Sequence, residues 1–110
     1  MSTSLKELEI PESIFEDGEA EATEFVRFWV CSGNDHVMLN IGSFKPPEHE
    51  PRQWGFIMAD IARHAVRGMQ QDDPSRGTPE QMLAEIERGF RERLEKALDF
   101  SGQLQGAQSA

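Results

Sequence analysis

Phe25-Val26-Arg27-Phe28-Trp29-Val30-Cys31 and Val37-Met38-Leu39-Asn40-Ile41, with Ser32-Gly33-Asn34-Asp35-His36 between them, decide the fold class of this chain. Both outer runs are rich in β-branched and aromatic residues, which fit the pleated surface of a sheet. Residues 24–44 therefore read as a β-hairpin. Gly33 and Asn34 suit the two loop positions of a type II′ turn, whose first position needs a positive φ. That loop sets Val30 opposite Val37, Phe28 opposite Leu39 and Val26 opposite Ile41. One face is then wholly apolar, and such a face specifies register. The other face pairs Cys31 with His36, Trp29 with Met38 and Arg27 with Asn40. A two-stranded hairpin alone is marginal, so the Trp29/Met38 face needs cover. Leu5–Ile10 is the candidate third strand.

Downstream, Lys45-Pro46-Pro47-Glu48-His49-Glu50-Pro51 is a proline-bounded connector, with Pro51 suited to a first helical position. Residues 52–70 read as a helix. Trp54, Ile57, Met58, Ile61, Ala62, Ala65, Val66 and Met69 recur at helical spacing on one side. Phe56 lies on the opposite, polar side. After a turn at 71–77, Thr78-Pro79-Glu80-Gln81 starts a second helix: Thr78 caps, Pro79 takes the first position and Gln81 completes a capping box. Its apolar stripe is Met82, Leu83, Ile86, Phe90, Leu94, Ala97 and Leu98. Glu87–Arg91 and Glu92–Lys96 are favourable pairs on its wet side.

The expected fold class is α+β: an antiparallel hairpin, with a possible third strand, packed on two amphipathic helices in two layers. The expected organisation is an acidic, partly ordered leader over 1–23, one α+β domain over 24–100 and a disordered tail over 101–110.

Composition narrows the function classes. The chain has 110 residues, 37% hydrophobic and 28% charged, which is globular rather than disordered. The net charge is −9. Residues 1–24 hold eight acids against Lys6, a net −7, so residues 25–110 are almost balanced. With an acidic leader and no basic stripe, nucleic acid and anionic membrane surfaces are not expected partners. Cys31 is the single cysteine, which precludes an intrachain disulfide and suits a reducing compartment. With no apolar run of spanning length and no basic, apolar leader, the expected location is the cytoplasm.

Chemistry-bearing groups are sparse. Asp60 and His64 stand one helical turn apart, flanked by Arg63 and Arg67. An acid so placed can orient a histidine for proton transfer. No nucleophile shares that face, and an intrahelical ion-pair ladder is the structural alternative. Cys31 and His36, facing across the hairpin, could make a thiolate pair or half a zinc site, but zinc needs more ligands than His49 and His64 supply. Asp72-Asp73 with Glu48 and Glu50 fits no calcium loop, and the glycines form no phosphate loop. No catalytic residue, cofactor or metal ligand is assigned. Trp29, Met38 and Phe56, apolar residues off the main core face, suit a protein interface, where such residues are enriched. Cover by the chain's own leader is the alternative.

The segments Leu39-Asn40-Ile41-Gly42 and Trp54-Gly55-Phe56-Ile57-Met58-Ala59-Asp60-Ile61-Ala62-Arg63-His64, with the leader Lys6-Glu7-Leu8-Glu9-Ile10-Pro11 and the final helix, resemble a group of short bacterial proteins, domain of unknown function 5076. The similarity covers about residues 5–98. The resemblance implies a compact bacterial domain and carries no activity, cofactor or catalytic residue. Three functions follow as expectations: a non-catalytic interaction module that self-associates as a homo-oligomer; an acidic chaperone or adaptor for a protein client; or a small enzyme using Asp60 and His64.

Overall fold

The structure is a computed structural model that describes residues 3–16, 18 and 21–97. Among the described residues, two strands and three α-helices follow in chain order: α1 (Ser13–Glu16), β1 (Val26–Cys31), β2 (Asn34–Leu39), α2 (Glu50–Asp72) and α3 (Pro79–Ala97). Single 3-10 turns at Pro47–His49 and Pro74–Arg76 precede α2 and α3. The chain is α+β, with one antiparallel two-stranded sheet among the described residues. The tail expected at 101–110 lies outside the described residues.

Residues 3–10 form no strand, so the third strand expected at Leu5–Ile10 is corrected to an extended arm. Its apolar side chains face water: Leu8 is 92% exposed. The arm is tied down by charge. Arg27 on β1 reaches Glu7 at 3.0 Å and Glu24 at 3.2 Å.

The hairpin forms where expected, in a different register. Val26 pairs with Leu39, Phe28 with Val37, Trp29 with His36 and Cys31 with Asn34. The loop residues are Ser32 and Gly33, with φ of 52° and 77°. Two successive positive φ values make a type I′ turn, whose twist matches that of the strands. Moving the loop back one residue shifts each pairing by two. Because side chains alternate with period 2, every residue keeps its expected face. Val26, Phe28, Val30, Val37 and Leu39 still share one side. The Cys31–His36 pairing is lost, and Cys31 is exposed.

The helices are built largely as their patterns require. α2 is longer than expected at both ends, with Pro51 in its first turn. Before α3, Gln81 N–H donates to Thr78 Oγ1 at 3.1 Å, and Thr78 N–H donates to Gln81 Oε1 at 2.9 Å. Both donors would otherwise be orphaned. Gly77 precedes this box with φ of 135°, and a Cβ there would stand 3.0 Å from Gln81 Oε1. Glycine lets the box close. Arg91 pairs with Glu87 at 3.4 Å as expected, whereas Glu92 meets Arg88 at 3.5 Å. α2 and α3 pack as an antiparallel pair. Val66 and Met82, at 7% and 8% exposed, form the buried centre among the described residues.

The layering differs from expectation. Neither strand packs along α2 or α3. The hairpin meets the helices at an aromatic elbow at its base. Phe25 stacks on Phe44 with centroids 5.3 Å apart, and Trp54 of α2 meets both edge-on, at 6.4 and 6.2 Å. Such geometry is favoured by the ring quadrupoles. Glu50, in the first turn of α2, closes the elbow. Its carboxylate accepts from Gly42 N–H at 3.1 Å and from Trp54 Nε1–H at 2.9 Å. No described helix is long and apolar enough to cross a membrane.

Candidate functional site

The elbow holds two apolar surfaces apart, and each is left open. The first is the hairpin face. Strand alternation aligns Phe28 and Val30 on one side, and Ile41 follows beyond the end of β2. They are 59%, 63% and 51% exposed. Asp35, opposite Val30, closes this face at the hairpin tip.

The second surface is a groove of about 710 Å³ between α2 and α3. Gly55, Met58, Ala59 and Ala62 line it from α2, and Leu83 and Phe90 from α3, with Glu80 and Glu87 at its rim. Past Leu83 the depression continues to Arg63 and Arg67. Arg67 makes no ion pair among the described residues.

The residues singled out in the sequence are dispersed. Trp29 is half-buried, and Lys6, Glu7 and Leu8 of the arm border the same small cleft beside β1. Met38 is 57% exposed on the Trp29 side of the sheet. Phe56 is 54% exposed on α2. Because the strands do not pack along α2, Phe56 does not join the Trp29/Met38 face. Asp60 pairs with Arg63 at 3.5 Å rather than orienting His64, which is exposed. Among the described residues, no three potential metal-ligating side chains cluster.

Among the described residues, the perturbed groups sit at structural joints. The hydrogen bond and charge of Glu24, then those of Glu7, raise the Arg27 guanidinium above its ordinary value. Asp73 is held below the usual carboxylate range by Ser75, whose hydroxyl donates at 2.7 Å and whose N–H donates at 3.0 Å. Neither group lines the groove or the hairpin face.

The large apolar residues that sequence reasoning assigned to the core and that lie open are Phe28, Val30 and Ile41, together with Met58, Ile61, Leu83, Phe90 and Leu94. One signal was present. At 100° per residue the apolar arc of α2, from Ile57 round to Val66, spans about 180°, wider than one neighbouring helix covers.

The chain is 29% identical to a solved structure described as "a putative pyruvate dehydrogenase from the photosynthetic bacterium Rhodopseudomonas palustrus CGA009". The TM-score is 0.59, and the match covers 84% of this chain and 86% of that one. No curated protein matches the sequence significantly. Residues 7–97 match the family described as Domain of unknown function (DUF5076). A match that takes in the arm, the hairpin, the elbow and both long helices makes this chain a member of the DUF5076 family.

Proposed function

We propose that this chain is a non-catalytic interaction module that self-associates. The observation that carries the reading is the open hairpin face, where Phe28 and Val30 are 59% and 63% exposed in a chain with two buried core side chains among the described residues. Contiguous apolar surface of this kind marks interaction sites in soluble proteins. The test is Phe28→Glu, read by light scattering and far-UV circular dichroism. Wild type runs as a dimer or larger, and the variant runs as a monomer with unchanged helix content. A variant that stays associated to the same degree removes the hairpin face from the interface and this support with it.

A second reading, an adaptor for a protein client, is favoured by the arm. Leu5, Leu8 and Ile10 are 71%, 92% and 64% exposed among acidic neighbours. Under it, deleting residues 1–10 abolishes client capture without changing the oligomeric state. The enzymatic reading at Asp60 and His64 lacks such support, because both side chains are exposed and nothing desolvates them. The activity named for the similar Rhodopseudomonas structure is not part of the proposal.

A further inference from the structure

Resting on the self-association proposed above, we infer its mode: the hairpin face of each copy occupies the α2–α3 groove of the other, reciprocally, in a two-fold dimer. The occupant of the groove is thus a second copy of this chain.

Three observations support it. The two open surfaces belong to one chain, yet the elbow of Phe25, Phe44, Trp54 and Glu50 keeps them from meeting within it. The hairpin-on-helix packing that the apolar patterns call for is then made between chains, as in exchange of identical elements between protomers.

Area is the second argument. A half-exposed large apolar side chain offers about 100 Å². Phe28, Val30 and Ile41 against Met58, Leu83 and Phe90, taken twice by symmetry, bury about 1,200 Å², the lower bound for a stable interface. Pairing hairpin with hairpin, or groove with groove, buries about half of that and leaves the other surface wet on both copies.

The third is charge. Asp35 stands at the tip of the hairpin face, and Arg63 and Arg67 stand where the groove continues past Leu83. A hairpin laid along the groove with its tip at that end brings opposite charges together. Glu80 borders that same end and Arg63 is already paired with Asp60, so Arg67, which makes no ion pair among the described residues, is the cation that Asp35 meets.

The experiment uses the full chain in a Cys31→Ser background, with one cysteine added per copy and two tags of different size. Copies carrying Val30→Cys are mixed with copies carrying Ala59→Cys, allowed to exchange, and treated with a short bismaleimide. The mode predicts a mixed cross-linked dimer at least tenfold more abundant than either self-cross-linked product. Met38→Cys, on the opposite hairpin face, gives at least tenfold less product with Ala59→Cys. Self-cross-linking of Ala59→Cys or of Val30→Cys at comparable yield overturns the mode, as does equal product from Met38→Cys. So does a dimer, established by light scattering, that yields no mixed product. In all those cases self-association itself survives. A monomer at the cross-linking concentration overturns both.

Discussion

Replacing Glu50 tests the elbow directly. Its carboxylate accepts from Gly42 N–H with both oxygens, each at 3.1 Å, and from Trp54 Nε1–H at 2.9 Å. Hydrogen bonds to a charged partner contribute about 1.5–3 kcal/mol each when the donor is otherwise unsatisfied. Gly42 is exposed, so water replaces most of its bond. The half-buried Trp54 donor loses more. An acid in the first turn of α2 adds about 0.3–1 kcal/mol through the helix dipole. Glu50→Ala is therefore expected to cost about 2–3 kcal/mol. Glu50→Gln keeps one acceptor oxygen and costs about 1 kcal/mol. Urea unfolding followed by tryptophan fluorescence and circular dichroism, at one fixed protomer concentration, measures both. Glu48→Ala removes a neighbouring exposed carboxylate with none of these bonds and should stay within about 0.5 kcal/mol of wild type. If Glu50→Ala costs no more than Glu48→Ala, the carboxylate does not hold the elbow, and the separation of hairpin from helices has another cause.

Other perturbations address single joints. Ser32→Asn should stabilise the chain by about 0.5–1 kcal/mol, because asparagine tolerates the left-handed conformation that the type I′ turn imposes at that position; loss of stability in the same urea assay would contradict the turn. Met82→Ala should cost about 2–3 kcal/mol, toward the low end for a core truncation because few side chains around it are fully buried and the site can relax; a cost under about 1 kcal/mol would show that Met82 is not central. Asp73 gives a pH signature. Its folded carboxyl titrates below the ordinary 3.8, so its stabilisation is present above that value and is lost as pH falls through and below it. Asp73→Asn should therefore unfold at lower urea than wild type at neutral pH, with the gap closing in acid below that value. A gap independent of pH would mean that the charge plays no part.

The open surfaces and the elbow have one origin. α2 begins immediately after a proline-rich connector, so Trp54 and Glu50 in its first turns reach back to Phe25, Phe44 and Gly42 at the base of the hairpin. That contact consumes the hairpin's nearest apolar residues. On the rest of its apolar face Val26, Val37 and Leu39 are half-buried, while Phe28, Val30 and Ile41 stay exposed. A hairpin so held contributes little to its own chain's core and offers most of its apolar area outward. Under the proposed self-association, that area is the contact surface.

Local chemistry was legible in the sequence. Period-2 alternation on either side of Gly33 determined the hairpin and assigned each residue to its face. Helical spacing of Trp54 to Met69 and of Met82 to Ala97 determined two amphipathic helices. Thr78 and Gln81 determined where α3 starts, because a capping box is made within four residues. Register was not determined. A two-residue slip leaves every face unchanged, and both Ser32-Gly33 and Gly33-Asn34 offer a glycine to the turn, so the choice rests on backbone twist at Ser32. Nor could the sequence place the hairpin relative to the helices. An apolar face states that something must cover it and carries no address for the cover. That address came from three rings and one carboxylate, distant in sequence and meeting at the elbow, which bind the hairpin at its base and turn its face away from its own helices.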